Sequence, residues 1–376
     1  MAKGGKYLAK KPVAKKKKKV LPIILLVLLL IVVICVGAGV WYYNHLLSMI
    51  TRPDSVPVRP SVSVEATETE TLPNETLAPE TTVETSPEDT WPQIVSDENI
   101  TNIMLVGQAA REGETHLISD TMILVSINRE QKTLTLTSLM RDMCLVWPKY
   151  IDTNGKEHSG NNRINMAYNM GYHWTGNKQD SMDLLESIVQ HNFGVPVDRT
   201  IEIDFQIFMD IVDLLGRVEI DISEEEYAYM LENANWMEDC GVHPGVNKLC
   251  GYHALCYARI RKIGHGDYDR TERQRKVITS LIGNLKEMNI LQIHNLFTQI
   301  LPKITTDMTN QEITNYAFEF IPMLKDLKIQ SQRIPFEGNE ISVVRDGDYM
   351  IAPANLKTTA KQLQESIGMT VAETTD

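Results

Sequence analysis

One stretch settles where this chain has to live before anything else about it is decided. Val20 to Tyr43 carries no charge and is dominated by Leu, Ile and Val. A run of that length can cross a hydrocarbon core of roughly 30 Å. Lys15–Lys19 stand directly before it, and residues 1–19 hold nine lysines and no acid. Lysine on the N-terminal flank keeps that end in the cytoplasm, and Trp41, Tyr42 and Tyr43 suit the outer interface. A cleaved signal peptide is the competing reading. Its apolar core is normally shorter and followed by small residues, for which Gly37-Ala38-Gly39 is a weak match. An uncleaved signal anchor is the expectation, with 1–19 as a basic cytoplasmic tip and 20–43 as the transmembrane helix.

Charge follows the same division. The chain has 37 Lys and Arg against 49 Asp and Glu, a net charge of −12. Setting the nine N-terminal lysines aside leaves 28 against 49, or −21, for everything after residue 19. A basic tip on an acidic body points to a membrane and away from nucleic acid. Residues 44–97 are rich in Thr, Glu, Pro and Ser, cannot bury a core and read as a disordered stalk. The triplets Asn74-Glu75-Thr76 and Asn99-Ile100-Thr101 are chance matches to a glycosylation signal.

Folded structure is expected from residue 98 to about 360, followed by a tail over 361–376. Ile103–Val106 and Thr121–Ile127 read as strands, and Thr133–Leu139 alternates with period two, as a half-buried strand does. The short connection Asn128–Lys132 makes a hairpin, so this part of the sheet should be antiparallel. Thr200–Asp204 and Val218–Ile222 are further strands. Helices are expected over Ser181–Phe193, Phe205–Leu215, Glu224–Asn233, from about Arg270 to Met288, and over Gln292–Leu301 and Gln311–Leu324. Interleaved strands and helices define an α/β (α+β) class: a central, mainly antiparallel or mixed sheet with helices on both faces. The helix after Asp204 is apolar nearly all round; it is either a buried core helix or the wall of a groove.

The chemistry concentrates in Tyr257–Lys276, which carries Arg259, Arg261, Arg270, Arg273 and Arg275. A solvated charged face is the plain alternative. Two features favour an anion site. An extended Ala258–Arg261 would aim Arg259 and Arg261 to one side. The apolar stripe Val277, Ile278, Leu281, Ile282 and Leu285, run back one turn, lands on Arg270, Arg273 and Gln274. Cations at a helix N-terminus oppose the macrodipole unless an anion shares the site. Guanidinium forks match phosphate oxygens in pairs. The inference is a phosphate or pyrophosphate site. There is no Walker loop and no nucleophile elbow.

Seven segments, taken in order, resemble the LytR-CpsA-Psr family of bacterial cell-wall ligases: NIMLVGQ, SDTMILVSIN, SLMRDM, RINMAYNMG, TIEIDFQIFMDIVDLLGRVEIDI, GYHALCYARIR and DYDRTERQR. The resemblance implies a phosphotransferase that takes a glycopolymer, such as teichoic acid or capsule, from an undecaprenyl-pyrophosphate carrier. The acceptor would be a peptidoglycan sugar hydroxyl, Mg2+ would assist, and the polyprenyl chain would lie in an apolar tunnel under the sheet. Carried over by motif, Arg141, Arg259, Arg261, Arg270 and Gln274 contact the pyrophosphate, with Arg273 beside them. Asp120 ligates Mg2+, and Asp142 orients or deprotonates the acceptor. Partners are then the lipid-linked polymer, peptidoglycan and the membrane, with no nucleic acid.

The chain departs from the family's pattern inside this site. Where Gly-x-Asp-x-Arg is usual, it has Gly107-Gln108-Ala109-Ala110-Arg111. The first Mg2+-associated aspartate therefore falls on Ala109, and the arginine usual before Ser-Asp-Thr is Ile118. Arg111 is kept and is a phosphate-contact candidate, and Glu112 or Glu114 could replace the missing acid. A catalytically impaired member that holds lipid-linked polymer or scaffolds active paralogues is the second reading. Cys240 and Cys250 could form a disulfide or stay free, zinc at His243 and His253 is the lesser option, and Cys144 and Cys256 read as core. His265 reads as loop surface.

Overall fold

The computed structural model describes residues 42–53, 96–108, 119–233, 241–345 and 347–369. It divides into two units, residues 1–48 and 49–376. Of the first, residues 42–47 are helical. Among the described residues no helix is long and apolar enough to cross a membrane. The expected span 20–43 lies outside them save for its last two residues.

The second unit is built on a six-stranded mixed sheet. Its strands are β1 (Ile100–Gln108), β2 (Ser119–Asn128), β3 (Thr133–Leu139), β6 (Arg199–Ile203), β9 (Thr305–Thr306) and β10 (Lys328–Ile334), in the order β10-β3-β2-β1-β6-β9. The expected hairpin is present: β2 and β3 pair antiparallel from Asn128↔Thr133 to Ile123↔Ser138. β1 also runs antiparallel to β2, whereas β6 lies parallel to β1 and β10 parallel to β3.

Helices cover both faces. On one face, α1 (Asn165–Thr175), α2 (Lys178–Phe193) and α9 (Leu356–Ser366) close a core of Met104, Val106, Met122, Leu124, Leu185, Ile188 and Leu363. Side chains this deeply buried each contribute about 1.5–3 kcal/mol by leaving water. Gly171 lets α1 and α2 touch, since a Cβ there would sit 2.5 Å from the Asp180 carbonyl oxygen. On the other face Ile123, Val125, Leu134 and Leu136 meet Ile278 and Ile282 of α6 (Asp267–Glu287) and Phe320 of α8 (Asn310–Met323). Beside them α3 (Phe205–Leu214) and α5 (Gly251–Ala258) approach so closely that a Cβ on Gly251 would lie 2.3 Å from the Met209 carbonyl oxygen. α4 (Glu224–Glu232), α7 (Ile290–Ile300) and the pair β7 (Val218–Ile222) and β8 (Gly245–Leu249) complete this half. Two further hairpins, β4 (Cys144–Ile151) with β5 (Glu157–Arg163) and β11 (Glu340–Arg345) with β12 (Asp348–Pro353), lie outside the central sheet.

Several expectations need correcting. β3 is buried on both faces rather than half-buried. Its Thr137 takes a hydrogen bond from Gln332 of the neighbouring β10, so polar residues supply the alternation without meeting water. Of α3, only Val212 is buried, so it is not a core helix. The stalk does not begin at residue 44. Ile50 is buried, Thr51 bridges to Thr305, and Arg52 donates to the Met308 carbonyl at 3.0 Å and to the Asn310 side chain. Nor does the domain end at 360, because Leu363, Ile367 and Met369 are core. Cys144 is only half-buried, at the start of β4.

Candidate functional site

The C-terminal end of β3 and the N-terminal end of β2 lie side by side, because the two strands are antiparallel neighbours. This places Arg141 and Asp142, in the turn after β3, beside Asp120, the second residue of β2. Arg141 Nη1 lies 2.8 Å from Asp120 Oδ1, and its Nε lies 3.4 Å from Asp142 Oδ1. The loop leaving α5 brings Arg261 to the same place, 3.6 Å from Asp142 Oδ2 and 3.3 Å from Asp267 Oδ1. Arg270, one turn into α6, stands 2.7 Å from Asp267 Oδ1 and donates to the Asp120 carbonyl at 3.2 Å. Residues from β2, the β3 turn, the α5–α6 loop and α6 thus meet in one cluster.

Two members escaped the sequence reading. Arg163, at the end of β5, lies 3.9 Å from Asp142 and 3.5 Å from Asp348, and donates to the Tyr349 carbonyl at 3.2 Å. It sits inside the RINMAYNMG segment, and nothing local marks it as different from a surface arginine. Asp267 falls in the same charged stretch as the arginines, yet its side chain is largely buried. Gln108 is also notable. It is 1% exposed, neither its amide nitrogen nor its oxygen has a partner, and its cross-strand neighbour Ser119 likewise has an unpartnered hydroxyl.

With Asp348 beside Arg163, four guanidinium groups face four carboxylates, so the charges balance when every acid is ionised. Burial disfavours ionisation of Asp267 and raises its pKa, against the pull of Arg270, Arg261 and Arg141. The same burial lowers the pKa of Arg270, with Asp267 and Asp120 opposing it. Although Arg270 and Asp267 are at ion-pair distance, both carboxylate oxygens of Asp267 and Nε of Arg270 lack an aligned hydrogen-bond partner. That misalignment leaves hydrogen-bonding capacity for another ligand.

Of the other candidates, Arg259, Arg273 and Arg275 are drawn to other partners. Ala258 ends α5 and Arg259 is its αR cap, so the segment is not extended as expected. The two arginines diverge: Arg259 lies over the Phe205 ring at 4.6 Å, while Arg261 enters the cluster. Arg273 is buried on Glu226, 2.7 Å away, and donates to the Ile260 carbonyl. Gln274 is buried one turn past Arg270. Arg275 is committed to Ser138 and Ser331, which fastens α6 to β3 and β10, and burial pushes its pKa down to about 10. Arg111, Ala109, Glu112, Glu114 and Ile118 lie outside the described residues. Cys250 Sγ lies 3.1 Å from His253 Nδ1, and its proposed partner Cys240 is outside the described residues. His265 is exposed and pairs with Asp269.

Beside the cluster the sheet is incompletely covered. β1 is a central strand, yet Ile103 and Leu105 on its α6 face are only half-buried, as are Ile201 and Ile203 of the adjoining β6. Ile278, Ile282 and Leu285 of α6 and Ile207, Ile211 and Leu214 of α3 are half-buried too. Apolar residues from two central strands and two helices are therefore left partly open to solvent.

As a metal site the residues are sparse. Among the described residues no three His, Cys, Asp or Glu side chains gather to hold a metal ion. Mg2+ is commonly held by one or two carboxylates together with substrate phosphates and water. Asp120 fits that form as a single protein ligand, and no protein cage is present among the described residues.

The mixed α/β fold thus carries an arginine–aspartate cluster and a set of half-buried apolar side chains on the α6 face of its sheet. The LytR_cpsA_psr family model matches residues 61–365, and the chain belongs to that family. It is 25% identical over 278 residues to Biofilm regulatory protein A of Streptococcus mutans, covering 70% of this chain and 64% of the relative. It is 25% identical over 259 residues to the polyisoprenyl-teichoic acid–peptidoglycan teichoic acid transferase TagV of Bacillus subtilis, covering 67% and 60%. The match thus spans less than two thirds of either relative's length. The crystal structure of B. subtilis TagT superposes with a TM-score of 0.54 at 22% identity, over 72% of this chain and 92% of that one. A TagT structure with bound octaprenyl pyrophosphate lipid gives a TM-score of 0.52 at 20% identity, over 72% and 92%.

Proposed function

We propose that this chain is a membrane-anchored phosphotransferase that moves a glycopolymer from a polyprenyl-pyrophosphate carrier to peptidoglycan. One observation carries the reading: Arg141, Arg261 and Arg270, far apart in sequence, converge beside half-buried apolar side chains. A diphosphate on a long hydrocarbon needs both parts together. The names of the relatives, teichoic acid transferases among them, agree with the reading.

The guanidinium groups bind the diphosphate and neutralise the charge that shifts toward the leaving phosphate. The acceptor hydroxyl oxygen forms a bond to the glycopolymer-bearing phosphorus while the P–O bond to the bridging oxygen breaks. Polyprenyl phosphate leaves, and the hydroxyl proton passes to Asp142, which Arg141, Arg163 and Arg261 hold in place. Asp120 would hold Mg2+, which when bound supplies further neutralisation of phosphate charge. The uncharged run 20–43 anchors the protein, with its catalytic domain outside the cell membrane.

The test is release of polyprenyl phosphate by the full chain from lipid-linked polymer, with a peptidoglycan oligosaccharide as acceptor. Release that requires acceptor and falls at least about 100-fold in Arg141→Ala supports the reading. Absence of release together with absence of carrier binding rules it out.

A further inference from the structure

The carrier's tail has to enter the protein from a bilayer, and one corner of the fold is shaped for that contact. Arg270 sits at the start of α6, which at 21 residues runs roughly 30 Å. At its far end lies a cleft of about 350 Å³, lined by Leu214, Leu215 and Met288 together with Asn284, Glu287 and Gln292. Ile278, Ile282 and Leu285, all half-buried, mark the path between the two ends.

Ile290 and Leu291, the first residues of α7, stand at the rim of this cleft and are 65% and 76% exposed. They are the one pair of sequence neighbours among the exposed large hydrophobic side chains of the described residues. They are not on a loose loop. Asn289 caps α7 by accepting from the backbone N–H groups of Leu291 and Gln292, and the Gln292 side chain bonds back to the Asn289 N–H. A capped, ordered turn therefore holds two aliphatic side chains in water beside the cleft. Apolar exposure of that kind marks a contact surface.

The tether identifies the occupant. Residues 44–50 alone separate the apolar run ending at Tyr43 from Thr51, which is fastened to β9 through Thr305, as is Arg52 to Met308 and Asn310. Seven residues of chain are therefore the most that can separate that run from the domain. From β9, α7 leads back to Ile290 over 11 residues, roughly 16 Å. We infer that Ile290 and Leu291 insert into the lipid bilayer, so that the cleft opens onto the hydrocarbon. This rests on the transferase reading for its purpose, although the contact itself does not.

The full chain is reconstituted in vesicles of phosphatidylglycerol and phosphatidylethanolamine, with or without dibrominated acyl chains. The emission that Leu291→Trp adds to the parent's is quenched at least twofold by brominated chains, whereas that added by Val246→Trp, on exposed β8, is unchanged. No quenching at 291, or equal quenching at both positions, overturns the inference. Self-association abolished by Ile290→Ser with Leu291→Ser assigns the patch to a second copy and also overturns it. The same serine pair lowers the transfer rate from vesicle-borne long-chain carrier about tenfold and leaves the affinity for water-soluble geranyl pyrophosphate unchanged. If the parent chain does not bind geranyl pyrophosphate, the transferase reading fails, and the quenching result still decides the membrane contact.

Discussion

Asp267 and Arg270 stand one helical turn apart at the start of α6, with Oδ1 and Nη2 2.7 Å from each other, and both side chains are largely buried. The acid occupies the place where an incoming phosphate would meet the arginines. It offsets the cations at the positive end of the helix and keeps Arg261 and Arg270 turned inward.

The first prediction concerns pH. Burial raises the pKa of Asp267, so the folded protein keeps a proton there above the ordinary carboxylate value. Stability from this group is therefore greatest below the unfolded value and falls as pH rises through the raised folded value. Carrier binding follows the same sign, because ionising Asp267 adds a negative charge beside the diphosphate. Geranyl pyrophosphate affinity, measured by calorimetry, should fall as pH rises through this window. Asp267→Asn should flatten the profile and bind about tenfold tighter above it, or about 1.4 kcal/mol. An unchanged profile would remove Asp267 from the site.

Arg273 should behave as a structural residue. It is paired with Glu226 in the interior, and removing one partner of a buried pair strands the other. Arg273→Met is expected to cost about 3–5 kcal/mol of unfolding free energy. The double variant with Glu226→Gln should recover most of that, with carrier affinity restored alongside. Denaturant titration of the four proteins in the cycle checks this. A loss of affinity in Arg273→Met that the second change does not recover would put Arg273 against the ligand instead.

Why some of this was legible in the sequence and some not follows from which signals are local. The β2–β3 hairpin shows in two apolar strands joined by a short polar turn, and periodicity places six helices to within three residues of their ends but misses α1 and α9. Strand β10 did not show, because KIQSQRI carries glutamines that bond to buried threonines of β3, and no local pattern announces that. The arginine cluster was readable in composition and motif. Its sorting was not: Arg259, Arg261, Arg270, Arg273 and Arg275 are five like residues sent to different partners by tertiary contacts. Arg163 and Asp348 come from separate hairpins, so their meeting with Asp142 has no local trace.

That meeting gives another expectation. Arg163 joins Asp142 to the β11–β12 hairpin through Asp348 and the Tyr349 carbonyl, and the Ile351 N–H donates to the Asp142 carbonyl at 3.1 Å. Arg163→Gln should loosen the hairpin and leave Asp142 less well oriented. Hydrogen exchange over residues 340–353 should accelerate about tenfold, equivalent to about 1.4 kcal/mol of local opening. Transfer rate should drop by a similar factor while geranyl pyrophosphate affinity stays within about twofold. Protection and rate both unchanged would make Arg163 a bystander.

The departure at Ala109 bears on the metal. Asp120 is the one carboxylate assigned to Mg2+, and its Oδ1 is already 2.8 Å from Arg141. A hard divalent cation gains from each added carboxylate oxygen, so a site with one should need more Mg2+ than a site with two. Ala109→Asp, which restores the acid of the family's pattern, should lower the Mg2+ concentration for half-maximal polyprenyl phosphate release by about tenfold. Asp120→Ala in the parent should abolish the Mg2+ dependence, and in the Ala109→Asp background it should leave a weak one. If the titration midpoint does not move in Ala109→Asp, then either an acid from residues 112–114 already serves the ion or the arginines carry the phosphate charge without it. Glu112→Gln with Glu114→Gln separates those outcomes: the midpoint rises in the first case and stays fixed in the second.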